Sequence, residues 1–215
     1  MFRRELLIGA VAFVLAPGAR AQGTQATPPR PAPGGPAGPV RPPIWGPPYT
    51  RKELKDAERR FGIRFPPDVF ELLMKQRFAR SPDWTKDEAD IRDLLAWPLE
   101  GILIDIEKND FWAPHWGIRP ASLQERLDAA QRLVKAAPKL IPLAPNIYVP
   151  QRPFRRGNPI FFVFLTDVRY YAADLADYVE RVSTPGQRRP VIGPRQQIPF
   201  WTELSEVRRQ PPKRQ

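Results

Sequence analysis

The sequence predicts a single α+β domain, from about Tyr49 to about Arg209, on three observations. Helical patterns come first, with apolar residues spaced along one face. Strand patterns follow in the middle and late parts of the chain, as short apolar runs. Few helices alternate with single strands, which argues against a parallel β/α arrangement.

Three helix starts share one pattern, a hydroxyl residue followed three positions later by glutamate: Thr50 to Glu53, Thr85 to Glu88 and Ser122 to Glu125. This is the capping box, in which both side chains accept hydrogen bonds from free amides of the first turn. The first helix should end at Gly62, and Pro66-Pro67 should open a second. We expect the third to stop at Pro98 and the fourth, after Ser122, before Pro138.

Four segments have strand character. The run from Ile102 to Ile106 is short and apolar, whereas Leu140 to Tyr148 contains two prolines and should supply short edge pieces at most. The run from Pro159 to Leu165 is apolar on both faces. Thr166-Asp167 then predicts a turn, and Val168 to Tyr171 a returning strand.

Two further helices are predicted near the end of the chain. The first carries Leu175, Tyr178 and Val179, and the second carries Trp201, Leu204 and Val207. A basic tail follows, at residues 210–215.

The N-terminus, residues 1–21, has the order of an export signal. Arg3-Arg4 precedes an apolar run from Leu6 to Ala16, and Ala19 and Ala21 form a small-residue cleavage pattern. The run is too short for a membrane span, which needs about 20 residues. The paired arginines resemble the twin-arginine signal, and a general secretory signal is the alternative. We expect an exported bacterial protein, periplasmic or secreted, without a transmembrane segment in its mature form.

Residues 22–48 are rich in Pro and Gly and contain few charges. Such a composition buries too little apolar surface to offset the entropy lost on folding, so we predict an extended or disordered tether. It is either a plain spacer or a segment whose end, Ile44-Trp45, docks onto the domain.

Composition excludes several kinds of site. The 215 residues include 29 Pro, no Cys and one His. Disulfides, zinc–thiolate sites, iron–sulfur clusters and multi-histidine metal sites are therefore ruled out, and no cofactor is predicted. The formal net charge of +11 is compatible with an acidic partner or surface.

A set of short motifs resembles the SUKH (Smi/Knr-type) superfamily, in its bacterial immunity-protein-like branch. In chain order they are Asp83-Trp84, Trp97 to Leu103, Asp105 to Glu107, Phe111-Trp112, Trp116 to Pro120, Pro138 to Pro142, Gly157 to Phe161, Thr166-Asp167, Tyr170-Tyr171, Asp174 to Tyr178 and Phe200-Trp201. The resemblance implies a central, mostly antiparallel sheet flanked by helices. It also implies protein binding without catalysis, since many bacterial relatives are regarded as immunity proteins that neutralise toxins.

The chain departs from the family pattern mainly by replacing polar residues with apolar ones. Asn146-Ile147 stands where the family has His-Arg, and Phe162, Leu165 and Ala172 replace smaller or polar residues. If that strand face were exposed, it would need a cover. We predict the Ile44-Trp45 end of the tether for this role.

Two features have residue types that could be catalytic, but each has a simpler interpretation. Asp105 and Glu107 would face the same way on the predicted strand, but solvated acids at a strand end are the simpler interpretation. His115 lies in an aromatic loop without a nucleophile motif, which favours a surface or packing role.

Two groups remain as candidate binding residues. Trp112 and Trp116, with Tyr148, form either an aromatic binding platform or part of the core. Arg152, Arg155, Arg156 and Arg169, with the basic tail, favour an acidic protein partner, an anionic envelope polymer or a merely solvated surface. Nucleic acid is not expected, because no nucleic-acid motif is present. We interpret the chain as an exported, non-enzymatic protein-binding domain that occludes a partner's surface, with envelope-polymer binding as the first alternative and a carboxylate-based enzyme as the second.

Overall fold

The computed structural model describes residues 46–78, 80–86, 88–184 and 196–207. Within them the helices are α1 Arg51–Phe61, α2 Pro67–Leu73, α3 Glu88–Asn109, α4 Leu123–Ala136, α5 Leu175–Ser183 and α6 Trp201–Val207. The strands are β1 Leu140–Ala144, β2 Ile147–Pro150, β3 Ile160–Phe164 and β4 Asp167–Ala172. The export signal, most of the tether and the basic tail lie outside the described residues.

The four strands form one antiparallel sheet in the order β1-β2-β3-β4. Each strand therefore pairs with its neighbour in sequence, which needs only short turns. The predicted α+β class, with a central antiparallel sheet flanked by helices, is confirmed. So are the late strand pair and the last two helices.

Helices cover the sheet on both faces, so β1, β2 and β3 are apolar on both sides. Along β2, Ile147 and Val149 point into a cluster with α1, α2 and α5, while Tyr148 points into a second cluster with α3, α4 and α6. The alternation follows from the two-residue period of a strand. Because both faces of the sheet are covered, β3 has no polar face.

The apolar departures from the family pattern are covered by the domain itself. Phe162 packs against the α1-α2-α5 cluster, and Ala172 is fully buried in it. A cover from the tether is not needed at these positions, and Ile44-Trp45 lies outside the described residues.

Two of the three predicted capping boxes are present. Thr50 and Ser122 each accept a hydrogen bond from the backbone N–H three residues on, and the glutamates at those positions accept from the cap residues. The prediction at Thr85 was wrong, because α3 begins only at Glu88. The Thr85 hydroxyl instead donates to Asp83 Oδ1 at 2.7 Å.

Helix α3 overturns two predictions at once. It continues through Pro98 to Asn109, so neither the predicted stop at Pro98 nor the predicted strand from Ile102 to Ile106 is correct. Pro98 has no N–H and cannot bond the carbonyl of Leu94 one turn earlier. The Tyr148 hydroxyl donates to that carbonyl at 3.0 Å, which replaces the missing helical bond.

The prolines between Leu140 and Tyr148 are accommodated differently from the prediction. Strand β1 is an edge strand, with a register shift after Pro142, but β2 lies inside the sheet. Pro145-Asn146 forms the turn between them, and Asn146 has a φ of 61°, which Asn tolerates better than most residues. The segment therefore forms a complete hairpin.

No helix among the described residues is long and apolar enough to cross a membrane.

Candidate binding surface

The predicted binding residues do not form one site. The structure places them in four different parts of the fold: Trp112 and Trp116 in the α3–α4 loop, Tyr148 in the core, Arg152, Arg155 and Arg156 in the β2–β3 loop, and Arg169 on β4. Each group has its own surroundings and its own role.

The α3–α4 loop, residues 110–120 (the aromatic loop), packs its rings inward. Trp116 stacks on Phe200 with ring centroids 5.8 Å apart and contacts Phe111 and Trp112 edge to face. The Trp112 Nε1 donates to the Gly117 carbonyl at 3.1 Å, within the same loop. These contacts favour a structural role for both tryptophans over a binding platform.

A charged clamp closes the aromatic loop. Asp110 accepts a hydrogen bond from the Arg119 guanidinium, and Arg126 of α4 lies 3.5 Å from the same carboxylate oxygen. The hydrogen bond from Arg119 holds the pKa of Asp110 below its ordinary value. Beyond the clamp, the side chain of Ile118 is 97% exposed.

Tyr148 is fully buried, and its hydroxyl donates a hydrogen bond to the Leu94 carbonyl. Burial raises its pKa above the usual range, because the phenolate would lose its hydration. Tyr148 is therefore a core residue, and the platform interpretation is wrong for it.

The β2–β3 loop, residues 151–158 (the arginine loop), is built around a buried amide. Asn158 donates to the carbonyls of Pro150 and Pro153 at 2.9 and 3.0 Å, and its own oxygen accepts from Gln196 at 3.3 Å. Asp68 of α2 accepts from the Gly157 N–H at 2.9 Å, where a φ of 79° favours glycine. The backbone of the loop is thus fixed from two sides.

The three arginine side chains of the loop are exposed. Arg155 donates to the neutral amide oxygen of Gln196 at 2.8 and 2.5 Å, and Arg156 pairs with Glu71. Arg152 is exposed and has no ion-pair partner among the described residues. Two of the three arginines therefore have no carboxylate partner in the part of the chain that the structure describes.

Phe154 lies between these arginines and is 45% exposed. The guanidinium of Arg64 sits 3.8 Å from the centre of its ring, a cation–π arrangement that positions the ring. An exposed aromatic residue among arginines has the composition of a protein-interface centre.

A groove of about 410 Å³ opens beside Phe154, between α1 and α2 (the α1–α2 groove). Phe65, Pro67, Phe70 and Met74 contribute its apolar surface. Its charged lining comprises Arg51, Lys55 and Lys75 against Glu58 and Glu71. Glu58 pairs with Lys55 and accepts a hydrogen bond from the Phe65 N–H. The remaining charged lining residues, Arg51, Lys75 and Glu71, carry a net positive charge.

A second groove, of about 700 Å³, lies on the other side of α2, against α5. There the balance is reversed, since Lys75 and Arg156 face four carboxylates: Asp68, Glu71, Asp174 and Glu180. Helix α2 therefore separates a cationic groove from an acidic one.

Arg169 stands apart from the arginine loop. It lies opposite Phe162 on the edge strand β4 and pairs with its own neighbour Asp167, at 2.7 and 2.6 Å. Its charge is compensated locally, so it does not extend the cationic surface.

The candidate carboxylates do not converge on a catalytic site. Asp105 is buried on α3 and accepts from the Thr166 N–H at 3.0 Å, from its hydroxyl and from Asn109. It ties α3 to the β3–β4 turn, which Gly101 lets approach closely, since a Cβ there would lie 3.0 Å from Leu165 Cα. Both acids lie on helix α3, so the prediction that they share a strand face was wrong. Glu107 is exposed and pairs with Lys108, as expected of a solvated acid, but the same interpretation was wrong for the buried Asp105.

His115 lies 3.8 Å from Glu203 of α6, beside the edge-to-face ring of Trp116. Among the described residues, no group of three or more His, Asp or Glu side chains is arranged to hold a metal ion.

Sequence reasoning missed the residues that complete the cationic surface. Phe154, Phe70 and Arg64 were not singled out, because they lie far apart in sequence. An apolar aromatic residue directly before two arginines was the one local signal that could have pointed to Phe154.

Comparison with protein-family models, with curated proteins and with solved structures finds no match to this chain.

Proposed function

We propose that this chain is an exported SUKH-like domain that binds a protein partner and acts by covering part of that partner's surface. The observation that carries the proposal is Phe154, an aromatic side chain 45% exposed among Arg64, Arg155 and Arg156. Aromatic residues and arginines supply most binding energy at protein interfaces. The motif order in the sequence supports the SUKH assignment.

The charge around Phe154 favours an acidic partner. Arg152 and Arg155 lack carboxylate partners among the described residues, and the adjoining α1–α2 groove adds Arg51 and Lys75. Complementary charge accelerates encounter and excludes partners of the wrong sign. A secreted toxin with an acidic surface, neutralised in the periplasm, fits the export signal and the family resemblance together.

The mechanism is occlusion, with no bond made or broken. Asn158 and Asp68 hold the backbone of the arginine loop before any partner arrives. A loop that is already ordered loses little conformational entropy on binding.

The test is a crosslinked pull-down with the tagged mature protein, from periplasmic and cytoplasmic extracts in parallel. The test variant changes Arg152, Arg155 and Arg156 to Gln, and the control changes Lys108, Arg132 and Lys135 to Gln, so that both lose equal charge. We expect the wild type and the control to retain a stoichiometric acidic periplasmic protein at about 0.15 M salt, and the test variant to lose it. Equal retention by both variants, or a partner found only in the cytoplasmic extract, would contradict the proposal.

The open charges of Arg152 and Arg155 favour one second candidate, an anionic polymer of the cell envelope. Binding to a polymer would depend on charge and little on Phe154. If no protein is retained but the chain binds envelope material, with binding lost at high salt, the polymer replaces the protein as the partner.

A further inference from the structure

We infer that the α1–α2 groove is the seat for one apolar side chain of an acidic, linear segment in the partner, with Phe154 as its outer wall. This inference rests on the proposed function. It specifies which part of the surface binds the partner and which residue types of the partner are bound there.

The size and lining of the groove suit a single anchor side chain. Its volume of about 410 Å³ is near the lower end of the usual range for ligand sites, about 300–1,000 Å³. Phe70 of α2 and Met74, the residue that follows α2, line the groove, and Phe154 lines it from the arginine loop. A large apolar side chain that inserted there would bury Phe154 as well as itself, which stabilises the complex through the hydrophobic effect.

Cations surround the seat in positions that suit carboxylates next to the anchor. Arg51 and Lys55 lie 5.6 and 5.1 Å from the centre of the Phe70 ring, and Arg64 lies over Phe154. Arg51 and Lys75 have no ion-pair partner among the described residues. A segment with acidic residues on both sides of an apolar one would match this pattern of charge.

The acidic groove on the far side of α2 supports the choice of sign. Asp174 and Glu180 line it together with Asp68 and Glu71, so an acidic segment would be repelled there. The two grooves share Glu71 and Lys75 and thus meet at α2. A segment of this kind therefore has one favourable side of α2.

The chain's own tether is the competing occupant, and its charge argues against it. Residues 22–45 precede Gly46 in the chain, and Gly46 forms a backbone bridge with Arg77 just after α2. That segment carries Arg30 and Arg41 and no carboxylate. It would add positive charge to a surface that is already cationic.

The test measures fluorescence anisotropy of labelled hexapeptides with the full mature chain. The probe peptide is Glu-Asp-Glu-Phe-Glu-Asp, and the comparison peptides replace its Phe by Ala or all its acids by Lys. The test variant is Phe154→Ala, and the matched control is Phe164→Ala, which removes an equally exposed ring (45% against 47%) from β3. We expect Phe154→Ala to weaken binding of the probe at least about tenfold, and Phe164→Ala less than about twofold.

Several outcomes would overturn the inference. The Ala peptide could bind as tightly as the probe, the two Phe variants could behave alike, or a peptide of residues 22–45 could displace the probe. Failure here is distinguishable from failure of the proposed function. If the peptide test fails but the acidic protein is still retained by the wild type and lost from the Arg152/Arg155/Arg156 variant, only the groove is wrong. Equal retention of the protein by that variant and by its charge control removes the function itself.

Discussion

The aromatic loop and the arginine loop both contain the residue types found at interfaces, yet they use them in opposite ways. In the aromatic loop, Trp116 stacks on Phe200 and the charges of Asp110 and Arg119 cancel each other. In the arginine loop, the polar contacts of Asn158 are internal while Phe154 and Arg152 face outward. The difference teaches that interface composition alone does not mark an interface, because the same residue types pack inward in one loop and face solvent in the other.

The contrast between the two loops is tested first at Trp116. Replacing Trp116 by Ala should lower the free energy of unfolding by about 2–4 kcal/mol, because three aromatic neighbours lose their contact. Urea unfolding measures this loss. Phe154→Ala is the control and should change it by less than about 0.5 kcal/mol.

A second variant at the same position separates packing from hydrogen bonding. Trp116 Nε1 is buried and has no hydrogen-bond partner among the described residues. Trp116→Phe removes that unpaired N–H and should cost less than half as much as Trp116→Ala. Equal costs for the two variants would show that ring packing is not what holds this loop.

Tyr148, like Trp116, has a structural role, and removing its hydroxyl should have the next largest effect on the free energy of unfolding. Tyr148→Phe should destabilise the fold by about 1–3 kcal/mol, because the half-buried Leu94 carbonyl loses its donor. The same change in a Pro98→Ala background should cost less, since position 98 then has an N–H for that carbonyl. A double-mutant cycle from urea unfolding measures the coupling, and a coupling near zero would contradict this role for the hydroxyl.

Within the arginine loop, Asn158 should be the exception. Asn158→Ala leaves the carbonyls of Pro150 and Pro153 without their donor, and we expect a loss of about 1–2 kcal/mol in unfolding free energy. Arg152→Gln serves as the control and should stay within about 0.5 kcal/mol. If Arg152→Gln were as destabilising as Asn158→Ala, the arginines would be structural, and the contrast between the loops would disappear.

The smallest effect concerns pH. The hydrogen bond from Arg119 lowers the pKa of Asp110 in the folded state, so the clamp stabilises the aromatic loop above the unfolded pKa of about 4. This contribution is lost as pH falls through the lower, folded-state pKa. The difference in thermal stability between wild type and Asp110→Asn should therefore shrink below about pH 4. A difference that is constant from pH 7 to pH 2 would exclude the clamp.

Much of the fold was predictable because its signals are local. The capping boxes at Thr50 and Ser122 satisfy their helix amides within four residues, and the turn after β3 lies between two clear apolar runs. The prediction failed where a distant contact decides. Proline inside a helix usually ends or kinks it, and the donor that the Leu94 carbonyl lacks comes from Tyr148, 54 residues away.

The candidate surface was predictable in part for the same reason. The three arginines of the β2–β3 loop stand together in sequence, and the structure keeps them together on the surface. The groove beside them combines α1, α2 and Phe154, which no sequence pattern joins. Whether tryptophans in a loop point inward or outward depends on what packs beneath them, and Phe200 lies far along the chain.

The bond between Tyr148 and Leu94 also bears on the order of folding events. Helix α3 cannot satisfy all its carbonyls by itself, because the Leu94 carbonyl in its middle accepts its hydrogen bond from Tyr148, 54 residues later in the chain. While the chain is still emerging, the two halves of α3 on either side of Pro98 can form separately, but the junction should remain weak until β2 arrives. The β1–β2 hairpin and α3 should therefore become protected together, and native-state hydrogen exchange should find them in one cooperative unit.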